Sequence, residues 1–173
     1  MKFVSTTKNV VARVGDDSSM EKERNATHSA GCYLVRKTEK GIWQLLLLYQ
    51  KYQNGVEKYV LPKGHKDGDE ETLDVAAKRE TTEETGYTDF ELVQYLGSMT
   101  YEIDWKEYRV IKSDHYFLAI LNSEEKEELD LAEYEKEYMA GFVWLDLEEA
   151  FKKISYGGCE EFFDIIRKYL ASK

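Results

Sequence analysis

Residues 64–87 constrain this chain more than any other stretch of its sequence. A glycine-containing loop leads into an acidic segment of helical composition, which ends at a second glycine. The segment carries four charged residues spaced three or four positions apart, Arg79, Glu80, Glu83 and Glu84. A helix places all four on one face, where the carboxylates repel one another unless a cation lies among them. Because Mg²⁺ and Mn²⁺ prefer oxygen ligands of this kind, the stretch predicts an acidic helix that holds a divalent cation.

The composition indicates a globular protein and limits its partners. The 173 residues are 42% hydrophobic and 13% aromatic, so we expect one domain over 1–173 that buries a core. The net charge of −10 argues against general binding to nucleic acid or to anionic membranes, because no excess of Lys and Arg neutralises phosphate. An anionic substrate would therefore have to meet a local positive charge or a metal ion.

The cysteines and the N-terminal residues indicate a cytoplasmic protein. Cys32 and Cys159 lack the spacing of metal ligands, and we expect two free thiols, as is usual in a reducing compartment. The first residues lack the apolar core of a signal peptide, and no apolar run is long enough to span a bilayer. Neither a membrane nor a nucleic acid is an expected partner, and the sequence leaves monomer and homodimer open.

The pattern along the chain predicts strands that alternate with helices. Strands are expected at 9–13, 28–36, 43–49, 58–63, 90–101, 109–121 and 141–145, and helices at 70–85, 147–154 and 160–170. The polar segment 15–27 is read as a loop, and the acidic run 123–137 as an exposed loop or short helix. The second main strand is apolar nearly throughout, which is typical of a strand covered on both faces. We therefore expect an α/β fold, a mixed sheet between helices.

The segment 64–87 resembles the Nudix box, in which a glycine is followed by a glutamate, an Arg-Glu pair, a Glu-Glu pair and a second glycine. Residues 79–87, Arg-Glu-Thr-Thr-Glu-Glu-Thr-Gly-Tyr, follow the second half of the pattern, with Thr81 where an aliphatic residue is usual. The loop before Arg79 is one residue too long. Glu70 therefore keeps the family spacing from the first glycine and Glu71 keeps it from Arg79, and helix phase favours Glu71.

The resemblance implies a Nudix α/β/α sandwich that hydrolyses a phosphoanhydride with Mg²⁺ or Mn²⁺. It assigns metal binding and proton transfer to Glu80, Glu83 and Glu84, orientation of one glutamate to Arg79, and a further metal ligand to the carbonyl of Lys63. Another ligand is expected before the tryptophan-containing strand, and Glu137 fits best, with Glu133 and Glu135 as competitors. Without the resemblance, the same charges could form only a solvated helical face with ion pairs.

The segment 61–65, Leu-Pro-Lys-Gly-His, resembles the corresponding loop in the diadenosine tetraphosphate hydrolase branch of the family. That likeness implies that Lys63 and His65 face a polyphosphate chain, where charge-assisted contacts are favourable. Candidates for contacts to the rest of the substrate lie downstream, Tyr101, Trp105, Lys112, His115 and Tyr116. We rank Tyr101 and Lys112 first and include Tyr116 as substrate-binding, although each aromatic could equally pack in the core.

The leading hypothesis is asymmetric hydrolysis of diadenosine tetraphosphate, a small-molecule nucleotide, to a nucleoside triphosphate and a monophosphate. The enzymatic alternatives are hydrolysis of ADP-ribose or another nucleoside diphosphate sugar, removal of damaged nucleoside triphosphates, and hydrolysis of diphosphoinositol phosphates or capped RNA. A Nudix module that senses a nucleotide without turning it over is the non-enzymatic alternative.

Overall fold

The structure is a computed structural model that describes residues 25–105, 108–156 and 158–173. The expected strand at 9–13 and residues 15–24 of the expected loop lie outside the described residues. Residues 25–27, which were also assigned to that loop, belong instead to the first strand. That strand pairs with a neighbouring strand from Asn25 to Val35, so the ladder begins three residues earlier than the polar composition indicates.

The described residues form a mixed sheet with helices on both faces. The strands are β1 Asn25–Lys37, β2 Trp43–Lys51, β3 Glu57–Val60, β4 Lys63–His65, β5 Phe90–Trp105, β6 Tyr108–Leu121 and β7 Met139–Asp146. The helices are α1 Leu73–Thr85, α2 Glu133–Lys136, α3 Leu147–Lys153 and α4 Glu160–Leu170. The order along the sheet is β3, β2, β1, β6, β5, while β4 pairs with β1 and β7 with β2.

Two apolar layers hold the helices against the sheet. The first packs Ala76 and Ala77 of α1 against the sheet, and the second packs the apolar side of α4 and part of α3 against the opposite face. Strand β2 contributes to both, because Leu45 and Leu47 point into the second layer while Leu46 and Leu48 point into the first. This confirms the expected α/β/α sandwich and the expected strand covered on both faces.

Several element boundaries differ from the prediction, and proline explains one of them. The expected strand 58–63 is two strands, because β3 ends at Val60 and β4 begins at Lys63 and pairs with a different neighbour. Pro62 between them has no N–H to donate to a ladder, which ends the first pairing. Helix α1 begins at Leu73 rather than residue 70, because Gly68 has φ +61° and Thr72 is still extended.

Both cysteines are free, Cys32 in the layer beneath α1 and Cys159 half-buried beside α4. Across the part of the chain that the structure describes, no helix has the length and apolar character needed to cross a bilayer.

Candidate active site

A cleft of about 750 Å³ lies where β4 and α1 meet the sheet. Its charged lining residues are Lys63, His65, Asp67, Glu80, Glu84, Asp114 and Glu135, and its aromatic lining residues are Tyr52, Tyr101, Tyr116, Tyr138 and Tyr156. The predicted acidic face of α1 therefore opens into a cavity rather than onto free solvent. A concave site that gathers convergent charged groups is where binding and chemistry are expected.

Arg79 joins the carboxylates of α1 to the loop before the helix. Its Nη1 lies 2.8 Å from Glu80 Oε1 and 3.1 Å from Glu83 Oε2. Its Nε lies 2.9 Å from Glu71 Oε1, and its Nη2 donates to the carbonyl of His65 at 2.8 Å. A planar guanidinium can make all these contacts at once, so Arg79 fixes the glutamates relative to the end of β4.

The extra residue in the loop leaves Glu71 in place against Arg79. Glu71 Oε2 also accepts the main-chain N–H of Asp67 at 2.6 Å, and the hydrogen bond from Arg79 lowers the pKa of Glu71. Glu70 is exposed, and Glu71 rather than Glu70 contacts the arginine. Glu71 thus supports the loop and does not line the cleft.

Glu84 and Glu80 are the two carboxylates of α1 that reach the cleft. Glu84 is only 6% exposed, and its Oε2 accepts the main-chain N–H of Lys63 at 2.8 Å. Burial raises the pKa of Glu84 well above its ordinary range, and the charges of Glu135 and Glu80 act in the same direction. Burial also raises the pKa of Glu80, while Arg79 opposes that shift. Glu83 contacts Arg79 and is not among the residues that line the cleft.

Gly64 makes room for Glu80. A Cβ built at Gly64 would collide with the carboxylate of Glu80, so only glycine lets that carboxylate pack directly against the backbone of β4. The first glycine of the predicted motif is therefore a steric requirement of the site.

An acidic strap, residues 122–132, crosses the C-terminal end of α1. The N–H of Asp130 donates to the carbonyl of Glu83 at 3.1 Å, and the N–H of Glu127 donates to the carbonyl of Gly86 at 2.8 Å. The last carbonyls of a helix have no partners within the helix, so these donors stabilise its end. The strap leads into α2 and delivers Glu135 to the cleft.

Asp114 lies in the cleft between Lys63 and Tyr101. It is 5% exposed, and its Oδ2 lies 3.2 Å from the Nζ of Lys63 and accepts the hydroxyl of Tyr101 at 3.1 Å. Burial and the charges of Lys112 and Lys63 lower the pKa of the nearby His65, which keeps its ring neutral to lower pH.

The structure brings most predicted site residues together, but Glu137 and Lys112 lie outside the cleft, and Tyr116 lines it with a covered ring. Glu137 is exposed and lines a second, smaller cavity, whereas Glu135, two residues earlier, lines the main cleft. Lys112 does not line the cleft, although its charge acts on His65. Tyr116 lines the cleft but is 1% exposed and packs edge-on against Tyr33, so its ring is not free to stack on a base.

His115 is the remaining aromatic candidate whose side chain the structure describes, and it is not among the residues that line the cleft. His115 points to the opposite side of the sheet, where it contacts His28 and Tyr95. The side chain of Trp105 lies outside the described part of the structure. The same holds for Glu133, one of the competing ligands.

Asp114 and three tyrosines, Tyr52, Tyr138 and Tyr156, were not predicted as site residues. One signal could have found Asp114, because residues 112, 114 and 116 share a face of a strand with period two. Tyr52 and Tyr138 stack with their rings 5.2 Å apart and nearly parallel. These two residues are 86 positions apart in the sequence, which gives no hint of their pairing.

The residues of the cleft fit a divalent cation. Glu80, Glu84 and Glu135 supply hard oxygen donors, and the burial of Glu84 in a like-charged group makes a counter-cation favourable. Among the described residues no three acidic, histidine or cysteine side chains are close enough to enclose an ion by themselves. This is the usual situation for Mg²⁺, which takes one or two carboxylates and fills its shell with waters and substrate phosphate oxygens.

Comparison with known proteins gives the family. The family model described as the NUDIX domain matches residues 26–161. The chain belongs to the Nudix family. It is a Nudix hydrolase, an enzyme that acts on pyrophosphate bonds, and Nudix hydrolases generally use a divalent metal. No curated protein sequence matches the chain.

Solved Nudix structures resemble this one over most of their length. A C. elegans Ap4A hydrolase in a binary complex is 28% identical, with 85% of this chain and 99% of that chain covered and a TM-score of 0.63. A second structure of C. elegans Ap4A hydrolase is 30% identical, covers 85% and 98% of the two chains, and has a TM-score of 0.56. The Nudix domain of Shewanella oneidensis NrtR, complexed with ADP ribose, is 15% identical over 87% and 90% of the chains, with a TM-score of 0.58. At that identity the likeness shows the fold alone.

Proposed function

We propose that this Nudix hydrolase cleaves diadenosine tetraphosphate, or a related dinucleoside polyphosphate, asymmetrically with Mg²⁺ or Mn²⁺. The observation that carries the proposal is that one cleft holds carboxylates, the ammonium of Lys63, the ring of His65 and exposed aromatic rings together. These components match a substrate with a long phosphate chain and a base at each end. The names of the C. elegans proteins, which are 28% and 30% identical, support the same substrate class.

Lys63 and His65 suit a polyphosphate chain. Both flank Gly64 and line the cleft beside Glu80 and Glu84. In a chain with a net charge of −10, the ammonium of Lys63 attracts phosphate where the rest of the surface repels it, and the neutral ring of His65 can donate an N–H to a phosphate oxygen.

Exposed tyrosines suit the bases. Tyr101 of β5 is 38% exposed, Tyr156 between α3 and α4 is 56% exposed, and both line the cleft. Stacking of a base on an aromatic ring contributes about 1–3 kcal/mol and does not depend strongly on which base is present. Two exposed aromatic rings in one cleft favour a substrate with two nucleosides over one with a single base.

The residues in and beside the cleft would have different roles in the reaction. Glu80, Glu84, Glu135 and the carbonyl of Lys63 would hold the divalent metal, which when bound neutralises phosphate charge and lowers the pKa of water. Arg79 fixes Glu80 and Glu83. A carboxylate oxygen of Glu80, Glu84 or Glu135 that the metal leaves free would accept the proton that the attacking water loses. The water oxygen bonds to one phosphorus, the bridging P–O bond breaks, and ATP and AMP leave.

A substrate panel tests the proposal. The full chain is assayed with Mg²⁺ and with Mn²⁺ on diadenosine tetraphosphate, diadenosine triphosphate, ADP-ribose and a nucleoside triphosphate. We expect kcat/KM to be at least about tenfold higher for diadenosine tetraphosphate, with ATP and AMP formed in equal amounts. Glu84→Gln should lower kcat by about 10²–10⁴-fold. Glu91→Gln, an exposed glutamate on β5, should leave kcat unchanged.

Two results would contradict the proposal in different ways. Faster turnover of ADP-ribose than of any dinucleoside polyphosphate would assign the enzyme to the nucleoside diphosphate sugar class. Tight nucleotide binding without metal-dependent turnover of any substrate would indicate a sensor module instead.

A further inference from the structure

Lys63 contacts one carboxylate through its main chain and another through its ammonium. Its main-chain N–H donates to Glu84 Oε2 at 2.8 Å, so the residue begins directly beside the glutamates of α1. Its ammonium lies elsewhere, 3.2 Å from Asp114 Oδ2. A lysine side chain is long and flexible and carries a compact charge, so the same backbone position also allows the ammonium to turn toward the glutamates.

Asp114 is held in a position that retains this ammonium. Its side chain is 7% exposed, and Tyr101 donates a hydroxyl hydrogen bond to the same oxygen that contacts Lys63. The other oxygen, Oδ1, is buried and has no hydrogen-bond partner among the described residues. A carboxylate with so little solvation depends on a neighbouring cation, and Lys63 is the cation that the structure places beside it.

The alternative position of the ammonium would interfere with the site. The charge of Lys63 already acts on Glu84, because it lowers the pKa of that group against the larger effect of burial. An ammonium placed between Glu80 and Glu84 would neutralise them and occupy the space that a divalent cation needs.

We infer that Asp114 is a positioning residue that keeps the Lys63 ammonium out of the glutamate cluster, so that the cluster remains free for a divalent cation. The inference rests on the proposed function only in taking Glu80 and Glu84 as metal-binding groups. It does not depend on which nucleotide is the substrate.

Binding of Mn²⁺ alone to the full chain tests the inference. Free Mn²⁺ is followed by its EPR signal without nucleotide, in the wild type, Asp114→Asn, Lys63→Met and the double variant. We expect Asp114→Asn to weaken Mn²⁺ binding about tenfold and Lys63→Met to change it by less than about twofold. In the Lys63→Met background, Asp114→Asn should change the affinity by less than about twofold.

The double variant separates repositioning of Lys63 from simple loss of a negative charge. Equal weakening by Asp114→Asn with and without Lys63 would mean that only the charge matters, and would overturn the inference. Unchanged Mn²⁺ affinity in Asp114→Asn would overturn it as well. Glu124→Gln, which removes the same charge from the Arg36–Glu124 ion pair, is the matched control and should have no effect.

Folding and metal binding by the wild type are checked separately. If Asp114→Asn does not fold, by circular dichroism, Asp114→Ser carries the same expectations. A wild-type chain that binds no Mn²⁺ would overturn the proposed metal role of the glutamates together with this inference. Failure of the substrate panel alone would leave the Mn²⁺ result standing.

Discussion

At the scale of single residues, the position of the Glu80 carboxylate depends on the absence of a side chain at Gly64. The carboxylate of Glu80 occupies the space that a Cβ at residue 64 would need, so Gly64→Ala must displace it. We expect kcat to fall by about 10²-fold, since a displacement of about 1 Å at a reacting group has effects of that size. In a Glu80→Gln background the same substitution should reduce kcat much less, and full additivity of the two effects on kcat would contradict the steric explanation.

His115 provides a pH-dependent contribution to stability away from the cleft. Its Nε2 lies 3.1 Å from Nδ1 of His28, and its Nδ1 lies 2.8 Å from the hydroxyl of Tyr95. Burial lowers the pKa of His115 below its ordinary value of 6.5, the charge of His28 acts in the same direction, and Asp114 opposes the shift. His115 therefore binds a proton more readily in the unfolded chain than in the folded chain. For this reason the free energy of unfolding falls as the pH drops below 6.5 toward the folded pKa of His115.

Chemical denaturation of wild type and His115→Gln between pH 8 and pH 5 measures this effect. The free energy of unfolding should fall more steeply with acidification in the wild type, because glutamine has no proton to bind. Parallel curves for the two proteins would mean that His115 does not contribute.

The residues that the sequence predicts best are those whose spacing fixes their direction. Arg79, Glu80 and Glu84 follow from helix phase, and the same phase selects Glu71 over Glu70. Asp114 was not predicted, because its role depends on Lys63 from a distant strand. Tyr116 shows the limit of residue type alone, since the sequence does not reveal that Tyr33 covers its ring.

At the scale of elements, the packing of the acidic strap against the end of α1 depends on Gly86 having no side chain. Gly86 has φ +77°, and a Cβ there would also lie 2.5 Å from the carbonyl oxygen of Glu127. Gly41 has φ +78° with open space around it, so Gly41→Ala measures the backbone effect alone, about 1–3 kcal/mol.

Gly86→Ala should be less stable than Gly41→Ala by at least about 1 kcal/mol, because it also overpacks the contact with the strap. Thermal and urea unfolding of the two variants provide the comparison. Equal destabilisation would show that the strap moves aside freely, and the catalytic helix would then not depend on it.

The bounds of an element with a clear hydrophobic period are predicted almost to the residue. The bounds of an acidic element without such a period are not. Helix α4 spans Glu160–Leu170 as expected, because Phe162, Phe163, Ile166 and Leu170 mark one face. The run before β7 has no such stripe, so the sequence cannot set the phase of the short helix α2. This is why Glu137 was favoured although Glu135 is the residue that lines the cleft.

The charge of the whole molecule couples its stability to divalent metal. Glu80, Glu84 and Glu135 line one cleft in a chain of net charge −10, so a bound cation relieves repulsion that only the folded state contains. We expect millimolar Mg²⁺ to raise the Tm of the wild type by several degrees, roughly the size of a 1 kcal/mol stabilisation. NaCl at equal ionic strength should raise the Tm less, and a Glu80→Gln/Glu84→Gln variant should respond to both salts alike.

The parallel pairing of β1 with β6 also limits how early in synthesis the sheet can be completed. Asn25 lies opposite Val110 and Val35 opposite Ile120, so each pair joins residues 85 positions apart. Loops of that length close slowly, and β2, α1 and β5 are all made in between. During synthesis β1 must therefore wait for β6 to leave the ribosome, and Lys63 meets Asp114 only at that moment. The carboxylates of α1 and Asp114 of β6 thus come together only after β6 has been made.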